Sequence, residues 1–293
     1  MKLKTFLENY KKEIENAIDE IIYEKNKIPS QLEDALNYVL RNGGKRLRPL
    51  LSLLTCYVLG GRVSKTIKIS LCVELVHTSS LILDDLPSMD NSLTRRGKSS
   101  CWAMFGEDIS ILLAFALLNE AYYLLLKEAT KFPQEKYPVE KYLEAFFGAI
   151  GFEGLILGQF FDLHPEKEKT FEVLEKIHSL KTGSLFILSA KIGAMTAQAK
   201  QKELEALVIF AKNLGLAFQI QDDLFDLIGI EKEMGKPKGK DEKKITFTNI
   251  LGIEDSKKAI DALIGTSIEA LKPLKEKGEL LKEFASYVRE RKN

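Results

Sequence analysis

Six aspartates fall into two clusters, each enclosed by apolar sequence. The first reads L-D-D-L-P-S-M-D and holds Asp84, Asp85 and Asp90, after Leu81-Ile82-Leu83. The second reads Q-D-D-L-F-D and holds Asp222, Asp223 and Asp226, after Leu216-Ala217-Phe218. Carboxylates this dense repel one another and resist burial unless something positive lies between them. Oxygen donors with no Cys or His beside them suit a hard cation such as Mg²⁺. Such an ion keeps waters and shares substrate phosphates with one or two carboxylates. The two clusters therefore predict a diphosphate held by metal ions between two acidic helix ends.

The sequence around them is helical in pattern. Phe6, Tyr10, Ile14, Ala17, Ile18 and Ile21 form one helical stripe. Leu32, Leu36, Val39 and Leu40 form another, which stops at Asn42-Gly43-Gly44. Leu50–Leu59 is nearly all apolar, and Ile67–Leu86 runs to Pro87. Further helical segments are predicted over 108–129, 139–161, 171–181, 184–198, 202–229, 255–271 and 278–291. No alternating strand pattern, compositional linker or internal repeat beyond the two clusters is visible. The expectation is all-α: a single large bundle of about ten or more helices around a central cavity, in one domain spanning 1–293.

Charge and composition narrow the partners. Forty-three Lys and Arg nearly cancel forty-two Asp and Glu, which argues against nucleic acid. Cys56, Cys72 and Cys101 have neither C-x-x-C spacing nor an even count, as in a reducing cytoplasm. The run Ile109–Leu118 reads as a buried helix, shorter than the ~20 residues a bilayer requires, so no stable membrane insertion is expected.

Basic residues complete the chemistry. Asp84 and Asp85 fall where Pro87 ends a helix, and Asp90 can fold back to the same place. Arg95 and Arg96 follow directly, and adjacent guanidiniums can each take a separate phosphate. In G-G-K-R-L-R-P, Lys45 and Arg48 lie one turn apart at a helix start. On the second cluster's helix, Asp222 and Asp226 are i, i+4 neighbours and share a face with Asp223. His77, Gln159, Asp162, Lys181-Thr182 and Gln219 are polar groups in apolar helices; each alone reads as structural. The stretch Glu231–Lys244 reads either as a solvated loop or as a lid whose lysines close over phosphate.

Taken together, G-G-K-R-L-R-P, V-E-L-V-H-T, D-D-L-P-S-M-D with R-R-G, G-Q-F-F-D, K-T-G, F-Q-I-Q-D-D-L-F-D and M-G-K with K-G-K-D resemble the trans-isoprenyl diphosphate synthases. These elements stand in family order over about residues 43–246. The four-residue gap before Asp90 is similar to the bacterial farnesyl and plant-type geranylgeranyl branch. The resemblance implies Mg²⁺-dependent head-to-tail condensation of isopentenyl diphosphate with allylic diphosphates, an isoprenoid-synthase fold and a homodimer. It implies three Mg²⁺ ions on Asp84, Asp90 and Asp222, with Asp85, Asp223 and Asp226 acting through metal-bound water. Arg95, Lys181 and Lys236 would hold the allylic diphosphate. Lys45, Arg48, His77 and Arg96 would hold isopentenyl diphosphate. Thr182 and Gln219 would line the path of the allylic cation, and Arg289, Arg291 and Lys292 would help exclude water.

Product length is expected to follow the helix below Asp84, where one turn rises ~5.4 Å. Ser79 and Ser80 occupy that turn, and their small size tilts the expectation from farnesyl (C15) toward geranylgeranyl (C20) diphosphate. Phe115, standing where the family carries Gly-Asp, is either a replacement floor or core packing. Ser99-Ser100-Cys101-Trp102 departs from the family pattern without an evident reason. Two other readings compete. A class I terpene cyclase needs no second diphosphate site, and a non-catalytic modulating subunit would have lost metal aspartates. Ile109–Leu118 is also a candidate dimer interface.

Overall fold

A computed structural model describes residues 1–25, 27–164, 170–232 and 246–291. These form two compact units: Met1–Leu143 with Met195–Gln198, and Glu144–Ala194 with Ala199–Asn293.

The first unit contains α1 (Leu3–Glu24), α2 (Ser30–Arg41), α3 (Leu47–Val58), α4 (Val63–Asp84), α5 (Cys101–Phe105), α6 (Glu107–Ala129) and the start of α7 (Val139–Ile150). The predicted stripe of α1 is the face it buries, through Phe6, Ile14, Ala17, Ile18 and Ile21. α4 packs against α1, α3 and α6. It is apolar nearly all round, and Ile69, Leu71, Cys72, Val73, Leu75 and Val76 are each at most 2% exposed. Side chains buried so fully stabilise a fold by about 1.5–3 kcal/mol each. A two-residue hairpin, β1 (Thr94–Arg95) with β2 (Lys98–Ser99), corrects the expectation of no strands.

The second unit contains the rest of α7, then α8 (Leu155–Leu163), α9 (Phe171–His178), a π-helical turn (Ser179–Gly183), α10 (Ser184–Thr196), α11 (Gln201–Lys232), α12 (Phe247–Ala270) and α13 (Glu279–Glu290). α11 has 32 residues and packs along α12, α13 and the π turn. The predicted 139–161 helix is two helices. The break comes at Gly154, where a Cβ would stand 2.1 Å from the Ala149 carbonyl oxygen, so only glycine fits. α12 begins at Phe247, eight residues earlier than predicted, and bends at Gly252, whose φ is 73°.

α6 also departs from expectation. Leu113, Ala114 and Leu117 are buried, but Leu112 and Phe115 are each 63% exposed. The helix is therefore apolar on both faces rather than enclosed. By length and composition alone, α4, α6 and the stretch 139–163 are apolar enough to cross a membrane, against the sequence expectation. Within the fold, 67% of the most apolar window of α4 is buried, against 39% for α6.

Candidate functional site

In the first unit, α4 ends at Asp84, three residues before Pro87. The chain then folds back as expected: the Asp90 N–H donates to the Asp84 carbonyl at 2.9 Å, and the Ser92 N–H to that of Asp85 at 3.0 Å. The hairpin turn follows, with positive φ at Arg96 (54°) and Gly97 (76°), the geometry of a tight two-residue turn. It sends the two arginines to different partners. Arg95 donates through Nε to both Asp85 carboxylate oxygens at 3.1 Å, and through Nη2 to Oδ1. Arg96 donates to the Gly43 carbonyl. Trp102 answers the puzzle of its own segment: its indole N–H donates to the Ser92 carbonyl at 2.8 Å and ties down the loop that carries Asp90.

The basic loop is shaped by left-handed backbone. Gly44 has φ of 136°, and a Cβ there would lie 2.9 Å from Arg96 Nη1. Arg46, the middle basic residue, has φ of 50° and is 2% exposed. Its guanidinium donates to Glu15 at 2.9 Å, Glu74 at 2.8 Å and the Leu40 carbonyl at 2.6 Å. It is a structural cation, with the half-buried Arg48 and exposed Lys45 on either side. His77, two turns before Asp84, feels the whole basic group. Burial lowers its pKa well below the ordinary value, and Arg48, Arg96, Arg95 and Arg46 lower it further. One helix thus carries carboxylates at its end and, two turns below, a neutral imidazole amid four guanidiniums.

Ser79 is 3% exposed and donates to the Ala114 carbonyl of α6 at 2.8 Å. Ser80, half-buried, donates to the His77 carbonyl at 2.9 Å. Phe115 stands on the exposed side of α6, one residue past Ser79's partner.

In the second unit, the π turn carries Lys181 and Thr182. Glycines let its neighbours approach it. A Cβ on Gly158 would lie 2.3 Å from the Lys181 nitrogen, and one on Gly215 would lie 3.1 Å from the Gly183 Cα. Lys181 pairs with Asp162 of α8 at 2.6 Å. The Thr182 hydroxyl donates to Gln219 Oε1 at 3.0 Å, and Gln219 Nε2 donates to Asp223 Oδ1 at 3.0 Å. Asp223 Oδ2 accepts from the Phe247 N–H at 2.9 Å. Burial pushes the Asp223 pKa up to about 6; these two donors oppose the shift, and the charges of Asp222 and Asp226 add to it. The amide of Gln159 is buried with neither atom hydrogen-bonded.

The tail contact is one that the sequence reading saw only in outline. Arg291 Nη2 donates to Asp222 Oδ1 at 2.6 Å and to the Phe218 carbonyl at 2.7 Å, and the guanidinium stacks 3.6 Å over the Phe218 ring. Gln221 Nε2 holds the same segment through the Arg289 carbonyl at 2.6 Å. Arg289 itself pairs with Asp261 at 2.6 Å. Lys236, the rest of the expected lid from 233 to 244, and Lys292 lie outside the described residues.

The donor set fits Mg²⁺. All six cluster residues offer carboxylate oxygen, Asp222 already draws a guanidinium, and the raised Asp223 pKa reports excess negative charge. Among the described residues no three His, Cys, Asp or Glu converge on one point. A cation here would take few protein ligands and complete its shell with water and phosphate, which is the habit of Mg²⁺.

Comparison with known proteins agrees with this chemistry. The polyprenyl synthetase family pattern matches residues 29–281. A geranylgeranyl diphosphate synthase of Cyanophora paradoxa is 35% identical over 99% of this chain and 97% of its own. A farnesyl diphosphate synthase of Bacillus subtilis (strain 168) is 36% identical over 98% of this chain and 97% of its own. Among solved structures, a geranyltransferase from Legionella pneumophila superposes with a TM-score of 0.86 at 29% identity, covering 99% of this chain and 98% of that one.

Proposed function

The chain belongs to the polyprenyl synthetase family and is a prenyltransferase, and we propose that it joins isopentenyl diphosphate to allylic diphosphates as far as the C20 product. The observation that carries this reading is the double character of α4. Its acidic end suits a diphosphate reached through metal, and its imidazole among guanidiniums suits a second diphosphate bound directly. A terpene cyclase needs only the first, and a modulating subunit needs neither.

Mg²⁺, held by Asp84, Asp90 and Asp222 with Asp85, Asp223 and Asp226 in support, supplies positive charge where the departing diphosphate gains negative charge. Arg95, Lys181 and Lys236 add to that charge. Lys45, Arg48 and Arg96 grip isopentenyl diphosphate, and His77, held neutral, contributes hydrogen bonding instead of charge. Thr182 and Gln219 offer oxygen atoms to the allylic cation. The isopentenyl double bond attacks that cation, and the departed diphosphate takes the proton. This requires both acidic clusters to serve one diphosphate, so the two units would act as a single catalytic domain. We further read α6 as the homodimer interface, because Ile111, Leu112, Phe115, Tyr123 and Leu126 leave one helix face apolar and exposed. A cytoplasmic location fits the three unpaired cysteines.

The test is purified protein with isopentenyl diphosphate and each of the C5, C10 and C15 primers, with and without Mg²⁺, and products sized by mass spectrometry. Elongation to C20 that chelation abolishes is expected. A stop at C15 would remove the chain-length reading, and no elongation would remove the synthase reading.

A further inference from the structure

We propose that Asp223 is a positioning residue that fixes which way round the Gln219 amide stands. Resting on the reading above, this keeps the Gln219 carbonyl oxygen, and not its NH₂, beside Thr182 where the allylic cation forms.

The argument is one of donors and acceptors. An ionised carboxylate only accepts hydrogen bonds. Asp223 is 7% exposed, and both its oxygens are engaged, Oδ2 by the Phe247 N–H at 2.9 Å and Oδ1 by Gln219 Nε2 at 3.0 Å. Turning the amide over would set two oxygen acceptors 3.0 Å apart in a buried place, so one orientation survives. The constraint passes along the amide. With Nε2 committed to Asp223, Oε1 is the atom offered to Thr182, which donates its proton at 3.0 Å. Thr182 therefore keeps its lone pairs for other use. Thr182 donates to Gln219, Gln219 donates to Asp223, and Phe247 anchors the far end. Two oxygens that carry partial negative charge and withhold their protons suit a neighbouring carbocation. They stabilise it without supplying a nucleophilic water.

The same geometry separates Asp223 from the other aspartates of its helix. Asp222 and Asp226 are both more exposed than Asp223. The carboxylate of the middle residue is turned inward, and α12 begins on it.

The test uses three variants of the full chain. In Asp223→Asn, the new Oδ1 accepts the Phe247 N–H, and the new NH₂ points at Gln219. Gln219 must then turn over and offer NH₂ to Thr182. Every hydrogen bond is kept and only the direction reverses. The charge-conserving exchange D223N/Q219E restores an acceptor beside Thr182, because the carboxylate introduced at position 219 accepts from both sides. Asp222→Asn serves as the metal-ligand control. Asp223→Asn is expected to lower kcat roughly 100-fold, with KM for both substrates and Mg²⁺ affinity by calorimetry within about threefold of wild type. D223N/Q219E is expected to regain about tenfold or more in kcat, while Asp222→Asn loses Mg²⁺ affinity. If Asp223→Asn loses Mg²⁺ affinity as Asp222→Asn does, or the exchange regains nothing, the proposal is overturned. If wild type binds Mg²⁺ but transfers no prenyl group, the synthase reading has failed and the proposal falls with it.

Discussion

Arg46 offers the most quantitative test of how the basic loop is held. Its side chain is 1% exposed, and its partner Glu74 is 4% exposed. Replacing Arg46 with Met leaves the Glu74 carboxylate buried without its cation. Breaking a buried pair from one side costs about 3–5 kcal/mol. Glu15, the other ionic partner, is 38% exposed, so water relieves it and its share is about 1 kcal/mol or less. At about 2–4 °C per kcal/mol for chains approaching this length, R46M is expected to melt roughly 6–20 °C below wild type. E15Q should lose only a few degrees by the same measure. The double variant R46M/E74M removes the stranded charge and should recover most of the loss, since apolar replacements of buried pairs are often neutral or better. Scanning calorimetry on the four proteins decides the matter. A loss under about 1 kcal/mol in R46M, or no recovery in the double variant, would refute the claim that Glu74 depends on Arg46.

Four further outcomes are expected. His77 stays neutral in the fold while the unfolded chain protonates near 6.5, so wild type loses up to about 1.4 kcal/mol per pH unit below that point; H77Q should lack this part of the slope in unfolding measured from pH 8 to 5, and identical slopes would sink the idea. Mg²⁺ must displace Arg291 from Asp222, so R291M is expected to bind Mg²⁺ about 2–5-fold more tightly by calorimetry; unchanged or weaker binding would argue against competition. Ser79→Tyr crowds the Ala114 carbonyl and should shorten the product to C15 at about 1–3 kcal/mol in stability, read by mass spectrometry and melting; an unaltered product would end the ruler argument. Phe115→Glu should split a homodimer in sedimentation velocity, and an unchanged oligomeric state would exclude this face of α6.

Both acidic motifs, their helices and the fold-back of Asp90 were legible because local rules govern them. Pro87 ends α4, and the apolar stripe of α1 names its buried face. What escaped depends on residues far apart in sequence. Nothing near Arg46 distinguishes it from Lys45 and Arg48; its role comes from Glu15 and Glu74, on other helices. The role of Trp102 needs Ser92 brought alongside it. The break at Gly154 is silent because the flanking sequence stays apolar, and only a backbone contact with Ala149 excludes a side chain. The second face of α6 was misread because apolar sequence looks the same whether it faces a core or solvent. The direction of the Gln219 amide likewise required knowing which atom of Asp223 meets it.

The π turn at Ser179–Gly183 makes part of this site depend on counting. A π turn holds one residue more than the α-helix it interrupts. Neighbours Lys181 and Thr182 consequently serve different helices, Asp162 on α8 and Gln219 on α11. Removing any one residue between 179 and 183 would regularise the helix and rotate everything after it by about 100°. Phe186, Leu188, Ala190 and Ile192, all fully buried, would swing off their packing together. Drift by substitution can refine these positions one at a time. Loss of a single codon there would take the lysine, the threonine and the following helix out of phase at once.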